Sequence, residues 1–168
     1  MSEIKSNERT RTIHWEDPMV TAEAGKTLSG LEFLQAMLRG EIPRPPISNT
    51  LDFVLESASE GRATFVVTPQ EFHYNPIGVV HGGLAATLLD SALGCAVQTM
   101  LPAGCGYTTL ELHVNLVRAI TRDTGILRAE SEVVHVGRTV ATAQARLIDG
   151  SGKIYAHGTT TCMIFRPS

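Results

Sequence analysis

The 168-residue chain is 43% hydrophobic and 18% charged, a size and composition suited to one domain whose core needs no disulfide or metal staple. Its formal charge of -3 lacks the basic excess of a general nucleic-acid binder and leaves room only for a local basic patch toward a phosphorylated ligand. Cys95, Cys105 and Cys162 form no C-x-x-C pair and have no histidine at metal-ligand spacing, so reduced thiols, a cytoplasmic location and no metal site are expected. Residues 1–12 are polar and carry no signal-peptide hydrophobic region.

Residues 1–26 read as a loosely ordered arm pinned to the body by Trp15, just ahead of Asp17-Pro18. Leu28 to Arg39 reads as a short amphipathic helix, with Leu31, Phe33, Leu34, Met37 and Leu38 near helical spacing. Gly40 ends it, and the run Pro43-Arg44-Pro45-Pro46 argues against a restart. The arm is therefore taken as residues 1–46 and the main domain as 47–168.

Thr50–Ser57 and Arg62–Thr68 read as a strand pair turning at Ser59-Glu60-Gly61. His73 to Val80 is a loop. Gly82 or Gly83 to about Met100 is a long apolar helix, broken afterwards by Pro102 and Gly104. Ile77 to Leu101 is rich in apolar residues but holds His81, Asp90, Gln98 and four glycines, which marks a buried helix with its lead-in and not a membrane span. Four strands follow: Tyr107–Arg118, Gly125–Val136, Thr139–Ile148 and Ile154–Phe165. In the first of these Leu110, Leu112, Val114 and Leu116 are expected to face one way and Glu111, His113 and Asn115 the other. Asp149-Gly150 is a strong hairpin signal. A helix this apolar must be covered on most sides, and wrapping an antiparallel sheet around it gives an α+β architecture.

Two places carry chemistry. His81-Gly82-Gly83 opens the long helix, where unpaired N–H groups and the positive end of the dipole lie. Glycines there admit a substrate close to those N–H groups, and such a site can hold the oxyanion of acyl transfer. A glycine-rich loop before a helix is also an ordinary structural feature. Asp90 lies inside the apolar helix, and its neighbours Ala86, Thr87, Leu93 and Gly94 offer no cation. An unpaired buried carboxylate is costly and marks a candidate functional group. The competing reading has it satisfied by a hydroxyl such as that of Thr87.

Gly83 and Asp90 are separated by about 10 Å along a helix. One small reacting group does not readily touch both. Two antiparallel helices in a twofold dimer would bring each helix start near the partner's carboxylate. Thr109 on the following strand supplies a hydroxyl able to orient water, although threonine is also a good strand former. His113, His135 and His157 sit in separate strands without ligand spacing. Among the arginines, Arg118, Arg122 and Arg128 read as solvated charge. Arg138 follows Gly137 at a turn, where backbone N–H groups and a guanidinium would suit a ligand phosphate.

Asn75-Pro76-Ile77-Gly78-Val79-Val80-His81-Gly82-Gly83, continued by Leu84-Ala85-Ala86-Thr87-Leu88-Leu89-Asp90, resembles the signature of the PaaI-type hot-dog-fold acyl-CoA thioesterases of the 4-hydroxybenzoyl-CoA thioesterase superfamily. The likeness extends through Thr109 and the Val136-Gly137-Arg138 turn, roughly from Ile47 to Phe165. It implies a hot-dog fold, a long central helix wrapped by a five- to six-stranded antiparallel sheet, paired into a homodimer with sites at the interface and often a tetramer. It implies hydrolysis of a CoA-linked aromatic or medium-chain acyl group. Asp90 is then general base or nucleophile, and the Gly83 N–H, with Gly82, polarises the carbonyl. Asn75 and His81 are the polar groups near the carbonyl and thiol, and Thr109 places the water. Thr87, Gly137 and Arg138 are counted with the substrate contacts. Leu84, Leu88 and Leu93 of facing chains are expected to line the acyl pocket. No cofactor is implied beyond coenzyme A in the substrate, and neither nucleic acid nor membrane as partner. A non-catalytic acyl-CoA-binding or effector-sensing module on the same fold is the alternative; it has no need of Asp90. A hydratase of this fold carries an Asp/His pair in a different loop pattern, which is not found. The arm is a departure from compact members.

Overall fold

The computed structural model describes residues 7–166. Six antiparallel strands form one sheet in the order β1-β2-β4-β5-β6-β3. They are β1 (Phe53–Ser59), β2 (Arg62–Val67), β3 (Gly106–Leu116), β4 (Leu127–Val136), β5 (Val140–Asp149) and β6 (Ile154–Phe165). Three short helices precede them: α1 (Pro18–Ala24), α2 (Gly30–Leu38) and α3 (Pro46–Leu51). The long helix α4 (Gly82–Gln98) packs against every strand of the sheet. This is the expected hot-dog arrangement of a helix wrapped by an antiparallel sheet.

The core is the seam between α4 and the sheet. Leu84, Leu88, Leu89, Ala92, Leu93 and Val97 are buried against inward residues such as Phe65, Leu127, Ala143, Leu147 and Cys162. Each strand supplies inward residues at alternate positions, as on β5 where Ala141, Ala143, Ala145 and Leu147 are buried. Leu84, Leu88 and Leu93 thus fill their own chain's core and do not line an acyl pocket, because the periodicity that makes them prominent also turns them toward the sheet. The opposite side of α4 keeps a half-buried stripe through Gly83, Thr87, Asp90, Ser91, Cys95 and Gln98. The sheet wraps one side of the helix only, which leaves more open stripe than the sequence suggests.

From residue 7 onward the arm is more structured than expected, and residues 1–6 lie outside the described part. Asp17 caps α1, accepting from the Met19 N–H at 2.9 Å, with Pro18 at the first helical position. Pro46 opens α3 for the same reason, although the proline run had argued against a restart: proline lacks the N–H that a first-turn residue leaves unpaired anyway. α3 ends at Asp52 in the left-handed region, at φ 56°, so β1 begins at Phe53 and not at Thr50. Trp15 is 60% exposed and is not a buried anchor. Arg11 holds the arm instead, donating to Thr50 O at 2.8 Å and Asn49 O at 3.1 Å while stacking 3.8 Å above the Phe72 ring.

Candidate active site

The approach to α4 is a loop organised by Asn75. Its side-chain oxygen accepts from the Ile77 N–H at 3.0 Å and the Val79 N–H at 3.4 Å, and its backbone N–H donates to Val79 O at 2.8 Å. Gly78 at φ 81° completes the turn, a conformation favouring glycine. The amide oxygen is thus spent on the loop, and the Asn75 Nδ2 amino group remains as a donor. His73, buried beneath the loop, accepts from the Gln70 N–H through Nδ1 at 2.9 Å and lies 2.8 Å from Leu51 O through Nε2. Burial above all, and the Arg11 charge to a lesser degree, hold its pKa below the usual histidine value. The His73 carbonyl receives the His81 N–H at 2.8 Å, so the backbone that this ring anchors fixes the entry to the helix.

His81 is the N-cap of α4. Its Nδ1 accepts from the Gly83 N–H at 2.8 Å, and its carbonyl receives the Leu84 N–H at 3.0 Å. The ring therefore carries its proton on Nε2, and it is exposed. The Gly83 donor expected to face a substrate is spent within the chain, and the free donor at the helix start is the Gly82 N–H, which makes no hydrogen bond among the described residues. Any side chain at position 82 would run into the Leu116 methyl of β3, and one at 83 would meet His81 Nδ1 at 2.7 Å. Both neighbours are side chains able to shift, so the tight fit favours glycine at each position without demanding it. Thr87 donates to Gly83 O at 2.8 Å, so its hydroxyl serves the helix and not Asp90.

Asp90 lies half-buried on the open stripe of α4. The Thr109 hydroxyl donates to its Oδ1 at 3.1 Å. No hydrogen bond of the described residues reaches Oδ2. A bulge in β3 makes this pair possible. Thr109 pairs with Cys162 and Glu111 with Thr161, so Leu110 is the extra residue. Strict alternation puts Thr109 on the face opposite Leu112 and Val114. The bulge resets the phase and turns Thr109 inward with them, while Leu110 stays 58% exposed. The expectation that Leu110 shares a buried face with Leu112 fails for that reason, and bulges are not legible in a period-two pattern.

Tyr107, which the sequence did not single out, lies two positions along the same inward face. Its hydroxyl packs on Gly94, where any side chain would collide with it. Burial is the main cause that raises its phenol well above the ordinary tyrosine value, with smaller contributions from Cys95, Cys162 and Asp90. The glycine one turn beyond Asp90 was the available signal for it.

The other expected contacts stand apart. The Gly137 N–H donates to Val140 O at 2.8 Å inside the β4–β5 turn, and Arg138 is exposed and enters no ion pair of the described residues. Arg128 pairs with Glu56 at 2.8 Å. His113, His135 and His157 are exposed. Among the described residues no group of three His, Cys, Asp or Glu side chains is placed to hold a metal ion, and no helix is long and apolar enough to cross a membrane.

The thioesterase superfamily model matches residues 77–156, which span the helix entry, α4, β3 to β5 and the first residues of β6. A protein of Halobacterium salinarum with an esterase designation is 32% identical over 118 residues, covering 67% of this chain and 76% of that one. The 1,4-dihydroxy-2-naphthoyl-CoA hydrolase of Listeria monocytogenes is 20% identical over 108 residues, covering 64% of this chain and 86% of its own length. Among solved structures, a phenylacetic acid degradation-related protein of Ralstonia eutropha JMP134 with a thioesterase designation superposes with a TM-score of 0.69. It is 30% identical and covers 77% of this chain and 97% of that one. With these relatives and this fold, the chain is a thioester hydrolase and belongs to the thioesterase superfamily.

Proposed function

We propose that the enzyme hydrolyses acyl-CoA thioesters carrying an aromatic or medium-chain acyl group, with Asp90 as the reacting carboxylate. The observation that carries this reading is the Asp90–Thr109 pair. The Thr109 hydroxyl fixes Oδ1 at 3.1 Å, and the opposite oxygen is left to take a proton from water or to attack the carbonyl carbon. An acyl-CoA-binding module has no use for a carboxylate on this stripe, and the Listeria relative is named for hydrolysis of a CoA ester.

The thioester carbonyl meets the start of α4. The Gly82 N–H and the Asn75 Nδ2 amino group donate to it, joined by the Gly83 N–H once the His81 ring turns away. The Nε2 proton of His81 lies toward the leaving thiolate. Thr87 forms the helix-side wall, and the Gly137-Arg138 turn receives a CoA phosphate through the unpaired guanidinium. Helix spacing keeps Gly83 about 10 Å from Asp90 on one chain. Each site is therefore built from the helix start of one protomer and Asp90 of its partner in a twofold dimer, which further pairing extends to a tetramer. β3 is an edge strand, and together with the open stripe of α4 it supplies the contact surface. No cofactor is needed. Three free thiols fit the reducing cytoplasm.

Thiol release from acetyl-, octanoyl-, phenylacetyl- and 4-hydroxybenzoyl-CoA tests the reading. Turnover of an aryl or medium-chain ester is the expected result. Binding of these esters without cleavage of any of them would establish the binding module instead.

A further inference from the structure

The arm builds a cavity of about 340 Å³ against the body of the domain, at the lower end of the roughly 300–1,000 Å³ of ligand pockets. Pro18, Ala22, Phe33 and Pro45 form its outer wall, and Cys95 and Tyr107 its inner one. Apart from the Gln98 amide, the wall offers little to a polar ligand. The Thr21 hydroxyl donates to Pro43 O at 3.0 Å. Burial, with the Asp90 charge second, pushes the Cys95 thiol up to about 12, so both it and the Tyr107 phenol stay uncharged.

The cavity adjoins the proposed catalytic centre through Cys95 and Tyr107, both of which line it and feel the Asp90 charge. Tyr107 shares the inward face of β3 with Thr109 and packs on Gly94. Gly94 lies one helical turn beyond Asp90, or about 6 Å along α4. A substrate tail leading away from Asp90 toward the end of α4 passes Tyr107 and reaches the arm. Every residue of the outer wall lies before residue 77, outside the part of the chain that the superfamily model matches.

We propose that this cavity is the acyl-tail subsite and that the arm, through Ala22 and Phe33, sets the length of acyl group the enzyme accepts. The proposal rests on the thioesterase reading above. An apolar tail is the ligand class the wall fits, and removing it from water supplies the preference for longer esters.

Two CoA ligands that cannot be hydrolysed, S-(2-oxopropyl)-CoA and S-(2-oxodecyl)-CoA, separate the subsite from turnover. They are titrated calorimetrically into the full-length wild type, Ala22→Trp and Phe33→Ala. The wild type is expected to bind the decyl ligand at least tenfold more tightly than the propyl one. Ala22→Trp fills the cavity from an exposed helix position and removes that preference with the propyl affinity unchanged. Phe33→Ala enlarges the cavity and moves the best ester in a straight-chain series to a longer acyl group. If both variants keep the wild-type ratio and length profile while thioesters are cleaved, the subsite is elsewhere and the thioesterase reading stands. If the wild type cleaves no ester, that reading falls, and the titration still decides the cavity.

Discussion

A single hydroxyl decides how Asp90 presents itself. Thr109→Val keeps the shape of the residue and removes the hydrogen bond to Oδ1. Hydrogen bonds to charged groups contribute about 1.5–3 kcal/mol. kcat is therefore expected to fall about 10–100-fold with KM little changed, and Thr109→Ser is expected to restore most of it; equal losses in both variants would show that the hydroxyl has no such role. His73 gives a prediction of a different kind. Its pKa is lowered in the folded protein by burial, so the unfolded chain takes up a proton near the ordinary value of 6.5 that the native state resists. The stability tied to His73 is fully present above that value and is lost as pH falls through it toward the lower folded pKa. Thermal melts from pH 7.5 to 5.5 should show a steeper loss of Tm in wild type than in His73→Gln, and parallel curves would assign the loss to other groups. The sequence pointed to Asn75, His81 and Asp90 because their spacing is contiguous. His73 went unnoticed because one histidine among six has no pattern, and its role depends on a carbonyl from α3.

At the level of elements, the long helix and the later strands were legible because apolar runs bounded by turn residues mark them, even though the bulge at Leu110 breaks the alternation of β3. The arm was less so. Asp17-Pro18 and Ser29-x-x-Glu32 are both helix-start signals. The second forms a full capping box, with Ser29 N–H donating to Glu32 Oε2 at 2.9 Å and Glu32 N–H to Ser29 Oγ at 3.4 Å. It moves the helix start from Leu28 to Gly30. Long-range fits were invisible. Gly30 donates its N–H to Leu101 O at 2.9 Å, and a Cβ there would collide with the Gln98 carbonyl at the end of α4. Backbone cannot yield as a flexible side chain can. Gly30→Ala should therefore destabilise the protein by about 1–3 kcal/mol, roughly 2–4 °C in Tm per kcal/mol, by lifting α2 from α4. An unchanged melting temperature would mean that α2 does not rest on this contact.

For the whole molecule, the fold followed from order alone: a strand pair, one apolar helix, then four strands with short connections. What order could not supply was the side of the helix left open. The sheet takes Leu84, Leu88 and Leu93 into the core, and the stripe bearing Gly83, Thr87 and Asp90 remains half-buried. The proposed chemistry lies where two such stripes face each other, joining the helix start of one protomer to Asp90 of its partner, with the arm-built cavity beyond Asp90. The most direct measurement is therefore thiol release from an ester that wild type cleaves, compared with Asp90→Asn and Asp90→Ala under saturating substrate. Both variants are predicted to bind the ester and to lose about 10²–10⁴-fold in kcat. Turnover within a few-fold of wild type in both would contradict the assignment of the reaction to Asp90.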